Sequence, residues 1–134
     1  MRFDVFLTLT AIALPLFILG DLLWLGVIAR KFYLSRMGDL MGALQLPAAI
    51  AFYILFTIGL TFFAIYPSVT RGTLASAITL GGLFGFFTYM TYDLTSLSVV
   101  RAYPLSLAIV DIAWGTLLSA TVTGAAFIIR GLIV

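Results

Sequence analysis

Four long apolar stretches constrain this chain more than any other feature. They run from about Phe3 to Ala29, Pro47 to Tyr66, Thr73 to Val100 and Pro104 to Ile129. Each reaches the roughly 20 residues that an α-helix needs to cross a bilayer core. In lipid, every backbone N–H and C=O must be satisfied within the helix or within a closed barrel. None of the four stretches alternates with period two, so helices are the reading. Composition agrees. Hydrophobic residues make up 63% of the chain and charged residues 9%, against roughly 45–50% and 25% in soluble domains. The expected fold is all-α: a four-transmembrane-helix bundle forming one integral-membrane domain over residues 1–134. The first stretch is too long for a signal peptide, has no small-residue cleavage site and carries Pro15 and Asp21, so it reads as a true span.

The punctuation supports this division. Pro47 and Pro104 each open a helix, where a missing N–H costs least. Pro67 and Gly72 are expected to bracket a tight turn at the opposite end, and Pro15 to kink the first span. Gly81 and Gly85, with Gly82 beside them, form a small-xxx-small pair suited to close helix packing. Between the first two spans, Tyr33, Met37, Leu40, Met41 and Leu44 fall on one helical stripe, which predicts a short amphipathic interfacial helix. A capped connector that merely covers the bundle end is the alternative. One face carries Arg30, Lys31, Arg36 and Arg101, the other Arg2, Arg71 and Arg130. That four-to-three balance leans toward a cytoplasmic loop face with both termini outside. A short internal similarity joins Asp21–Arg30 to Asp93–Arg101 with a one-residue gap, as two parallel helical hairpins would produce.

Missing residues exclude much chemistry. The chain has no Cys, His or Glu. Disulfides, thiolate nucleophiles, iron–sulfur clusters, imidazole bases and His-ligated haem are therefore ruled out. The one Lys, Lys31, lies in a polar loop and not where a buried Schiff base would form. No cofactor is expected. The net charge of +2 is spread along the chain, so nucleic acid is not an expected partner.

Three carboxylates sit inside apolar stretches: Asp21, Asp93 and Asp111. On insertion scales each costs roughly 2.5–3.5 kcal/mol at a helix centre. Asp21 lies nine residues before Arg30, Asp93 eight before Arg101, and Asp111 seven after Pro104. At the α-helical rise these are about 13, 12 and 10 Å below one polar face. Equal depth on three helices predicts an acidic cluster beneath the loops. Trp24, Tyr53, Tyr92, Thr95 and Trp114 fall on neighbouring stripes or at similar depth and complete the expected ligand-binding set. Hydroxyls can donate to carboxylates, and indoles can enclose an apolar or cationic ligand. The structural alternative has the three acids hydrogen-bonded to Thr, Ser, Tyr or Trp as inter-helix glue, or paired with Arg30 or Arg101. Such bonds in membranes average only about 0.6 kcal/mol, a small return for three Asp. Tyr92-Asp93 is similar to one motif of intramembrane aspartic proteases, but the second, Gly-x-Gly-Asp, is missing.

The block Asp21-Leu-Leu-Trp-Leu-Gly26, the run Arg30-Lys31-Phe32-Tyr33, the block Thr91-Tyr92-Asp93-Leu94-Thr95 and Asp111-Ile-Ala-Trp114-Gly115 occur in that order. Together they resemble the small bacterial inner-membrane proteins grouped as domain of unknown function 2177. The resemblance spans nearly the whole chain. It implies a four-helix fold and location in the bacterial inner membrane, and no particular reaction. Members can lie beside genes for fatty-acid or lipid modification, which makes a lipid-related role part of what the resemblance implies. Ser96 stands where the family pattern has Asn, so an amide contact there is not carried over.

The expected function is a membrane binding or permeation module. Its acidic cavity would hold a cation, a proton or an amphipathic lipid ligand. The alternatives are an accessory subunit docked through Gly81 and Gly85, and a lipid-modifying enzyme using an Asp pair. The absence of His, Glu and Cys weighs against the enzyme. Expected partners are membrane lipids and a small cation or amphiphile, with a homodimer or larger membrane complex consistent with a bundle of only four helices.

Overall fold

The computed structural model describes residues 1–134. Four helices are long and apolar enough to cross a membrane: Phe3–Ile28, Leu46–Arg71, Leu74–Val99 and Leu105–Ile133. The first span is α1 (Phe3–Leu23) continued by a π-helical turn, Trp24–Ile28. Helix α2 (Arg30–Met37) and a 3₁₀ turn (Gly38–Leu40) follow. The second span comprises α3 (Leu46–Leu60), a π-helical turn (Thr61–Ile65) and α4 (Tyr66–Arg71). The third and fourth spans are α5 (Leu74–Val99) and α6 (Leu105–Ile133).

Local chemistry explains most boundaries. Pro47 lies in the first turn of α3, and Pro104 is the residue before α6. Thr73 starts α5 with a reciprocal capping box. Its Oγ1 accepts the Ser76 N–H at 3.2 Å, while Ser76 Oγ accepts the Thr73 N–H at 2.8 Å. Pro67 departs from expectation. It lies inside the second span, which continues to Arg71, and Gly72 and Thr73 alone make the turn. A proline in the first turn of α4, straight after a π turn, interrupts no α-helical hydrogen bond. Helix α1 runs unbroken through Pro15.

The amphipathic stripe expected between the first two spans is not realised as one helix. Helix α2 ends at Met37 because Gly38 adopts φ +48°, a region that glycine enters at least cost. Leu40 falls in the 3₁₀ turn, and Met41 and Leu44 lie beyond it. In the α5–α6 connection, Ala102 also has positive φ, at 60°. A left-handed conformation costs an L-residue about 1–2 kcal/mol. Ala102→Gly is therefore expected to raise stability by about 1 kcal/mol, read by thermal unfolding in detergent. A loss of stability would show that Ala102 makes a contact worth more than the strain.

The tightest helix pair is α5 against α6. Gly81 and Gly85 face α6, not lipid, and a side chain at either would strike Thr123, Ser119 or the Gly115 carbonyl. This contradicts the outward orientation that docking of a partner through these glycines requires. The main apolar core joins α1, the second span and α6 through Leu9, Phe17, Phe56, Leu60, Ile65, Leu118 and Val122. It lies toward the end that holds both chain termini, where the Arg2 N–H donates to Tyr66 Oη at 2.8 Å. The second and third spans meet through the Thr61–Ile65 turn and α4. Helix α3 itself has no extended packing on α5 and reaches it through rings, Phe56 lying 5.2 Å from Phe84 and 5.8 Å from Tyr89. The bundle is thus closed at the terminal end and parted between α3 and α5 at the loop end. Leu19, Leu55, Phe63 and Leu117 are among the large apolar residues left on the outside, as lipid-facing positions require.

Candidate acidic–aromatic site

Each intramembrane carboxyl is met by an aromatic donor from another part of the chain. Asp21, near the end of α1, accepts Tyr53 Oη–H at 2.7 Å and Trp114 Nε1–H at 3.1 Å. Asp111 on α6 accepts Tyr33 Oη–H at 2.6 Å, and Tyr33 in turn accepts Trp24 Nε1–H at 3.3 Å. Asp93 on α5 accepts Tyr103 Oη–H at 2.8 Å on Oδ1. Its Oδ2 is buried and faces no donor, and its carboxyl lies against that of Asp111.

Asp111 is the centre of the arrangement. It touches Asp93 on one side and shares a cavity wall with Asp21 on the other. Trp24 and Trp114 stack between α1 and α6, with ring centroids 4.4 Å apart and planes 8° from parallel. Both indoles are half-buried and held against each other between the two helices. The π turn beginning at Trp24 places this ring three residues after Asp21 while the chain prepares to leave the span. Arg30 and Arg101 pair with none of the acids; the one ion pair in the structure is Arg2–Asp4, at the opposite end, at 2.7 Å.

Of the residues singled out by sequence, Asp21, Asp93, Asp111, Trp24, Trp114 and Tyr53 come together. Tyr92 is 60% exposed but forms part of the wall of both adjoining cavities. Thr95 does not join them. It is exposed, and its hydroxyl is spent on the carbonyls of Thr91 and of Tyr92, the latter at 3.0 Å. Thr88 and Thr91 likewise bond back to their own helix. A threonine in a helix satisfies itself on the preceding turn, so the carboxyls are served by Tyr and Trp alone.

The expected ligand-binding set does not include Tyr33 or Tyr103, nor Tyr89, which the sequence places on one stripe with Asp93. Tyr33 comes from α2 and Tyr103 from the α5–α6 connection, and both fold back onto the bundle end. Burial, reinforced by the bond to Asp111, holds the Tyr33 phenol protonated well above its usual range. Burial and the bond to Asp93 do the same for Tyr103. Both phenols are thus fixed as donors. Tyr89 makes no such bond; its ring fills the space above Gly115, where any side chain would collide with it.

Two cavities flank Asp111. The first, of about 480 Å³, lies at the loop end between α2 and the starts of α5–α6 contact, lined by Arg30, Tyr33, Met37, Tyr92, Tyr103 and Asp111 among others. The second, of about 340 Å³, lies where α3 and α5 part, between Phe52 and Phe56 on one side and Thr88, Tyr89 and Tyr92 on the other, with Asp21 and Asp111 in its wall. Leu25, Tyr92 and Asp111 belong to both. No cluster of three or more acidic side chains is arranged to hold a metal ion.

No curated protein and no solved structure shows significant similarity to the chain. The model of one family, described as predicted membrane protein and designated DUF2177, matches residues 6–128, which cover nearly all of the four-span bundle. The chain belongs to that family of membrane proteins.

Proposed function

We propose that the protein is a multi-pass binding module of the bacterial inner membrane, and that its ligand is an amphipathic molecule drawn from the bilayer. The observation that carries this reading is the meeting of two mostly apolar cavities at Asp111, one beneath the loops with Arg30 in its wall, the other aromatic and between parted helices. A headgroup would occupy the first and the start of an acyl chain the second. Apolar walls with a few convergent polar groups are the usual make-up of small-molecule sites. Helix α2 would then be the interfacial roof of the site, since Tyr33, Leu34 and Met37 face the first cavity. Asp21, Asp93 and Asp111, with Trp24, Tyr53, Tyr92 and Trp114, would form the binding set. Thr95 is left out of it.

The test is a mass-spectrometric survey of lipids and small molecules retained by the detergent-purified protein. The wild type is expected to keep an amphiphile that Asp111→Asn keeps at least about tenfold less, a loss of roughly 1.4 kcal/mol. Equal retention by wild type, Asp93→Asn and Asp111→Asn, all folded, would refute the site. The contact between Asp93 and Asp111 favours a second reading, an enzyme on membrane lipid using this pair as acid and base. Turnover of a labelled lipid, lost in Asp93→Asn, would decide for it.

A further inference from the structure

We infer that the headgroup accepted by the loop-end cavity joins a phosphate to an ammonium, so that the ligand is a zwitterionic aminophospholipid. This rests on the binding function proposed above and names its ligand class. The cavity has two chemically opposite parts. Its interior is built for a cation: the Asp111 carboxyl is in the wall, and the rings of Tyr33, Tyr92 and Tyr103 surround the same space. Aromatic faces attract ammonium groups, and a ring of them beside a carboxylate is a recurrent amine receptor. The hydroxyls of Tyr33 and Tyr103 already donate to Asp111 and Asp93, so they are not free to solvate an anion.

The cavity also carries one cation of its own, Arg30. It is exposed, makes no ion pair, and belongs to the first turn of the helix that roofs the site. A guanidinium in that position suits a phosphate. A purely anionic lipid would satisfy Arg30 and leave Asp111 without a counter-charge. A simple cationic amphiphile would do the reverse. A phosphate at the rim with an ammonium turned inward satisfies both. The acyl chains would then leave past Tyr92 and Leu25, the residues common to both cavities, into the gap between α3 and α5.

The experiment titrates detergent-solubilised protein with phosphatidylethanolamine, phosphatidylglycerol of identical chains, and water-soluble glycerophosphoethanolamine. Binding is read from the emission of Trp24 and Trp114, the two tryptophans of the chain, and by native mass spectrometry. Phosphatidylethanolamine is expected to bind about tenfold more tightly than phosphatidylglycerol, the size of one desolvated cation–π contact. The soluble headgroup is expected to bind far more weakly than the lipid. Tyr92→Leu should erase most of the preference, whereas Arg30→Ala should weaken both phospholipids about equally and leave it. Neither side chain makes a hydrogen bond that the fold depends on, so both variants should remain folded. Equal affinity for the two lipids would overturn the ammonium assignment while leaving the binding function intact. A preference untouched by Tyr92→Leu, or affinities untouched by Arg30→Ala, would place the headgroup elsewhere and overturn it too. A soluble headgroup as tight as the lipid would overturn the lipid assignment. Failure to bind any of the three would sink the binding function itself.

Discussion

Gly85→Val is expected to disrupt the bundle, lowering its stability by about 3 kcal/mol or more, at the upper end of what overpacking costs. A first side-chain carbon at position 85 would overlap the Gly115 carbonyl oxygen and the side chain of Ser119. The carbonyl is backbone and cannot rotate away. Relief requires α5 to move off α6, and this is the most extensive helix contact in the molecule. Separation would also withdraw Asp93 from Asp111 and Tyr89 from Gly115. Gly26→Ala and Gly131→Ala are suitable controls, because nothing lies within 4 Å of an added carbon at either site. Unfolding in detergent, followed by circular dichroism, separates the cases. A Gly85→Val protein as stable as the controls would mean that the two helices do not pack as described.

Asp21→Ala is the second substitution with a large expected effect. It removes the acceptor for both Tyr53 and Trp114 and so leaves two interior donors unmatched. An unmatched buried donor costs about 1–3 kcal/mol. In membranes the loss is softened, because the unfolded chain also finds partners and single inter-helix bonds average about 0.6 kcal/mol. A net loss of about 2 kcal/mol follows from two donors taken together. Asp21→Asn keeps one side-chain oxygen and should lose about half as much. Because Trp114 stacks on Trp24, loosening it should alter the emission of both tryptophans at once. An Asp21→Ala protein with wild-type emission and stability would show that these bonds hold nothing in place.

The four spans are legible in the sequence because length and apolarity leave the backbone no other way to satisfy itself in lipid. The depth of the acids is legible for a related reason. Helical rise is fixed, and Arg30, Arg101 and Pro104 mark the ends from which it is counted. Tyr53 follows from the same rule, six residues after Pro47. Tyr33 and Tyr103 do not, because no rise rule says how α2 and the residues 100–104 connection fold back over the bundle end. The stripe from Tyr33 to Leu44 misleads since Gly38 stops the helix at Met37. Thr95 misleads because a hydroxyl on the correct helix still prefers its own backbone. Neither π turn has a signature in the residues that form it.

The π turn after Asp21 has a consequence for chain length. Its i→i+5 bonding encloses one residue more than an α-helical turn does. Asp21 precedes Arg30 by nine residues, whereas Asp93 precedes Arg101 by eight along a helix that stays α to Val99. The surplus in the first interval therefore equals the single position that this widened turn, Trp24–Ile28, can absorb. The wide turn adds slack to the first interval, and Asp21 and Asp93 both come beside Asp111 although their intervals differ by one residue.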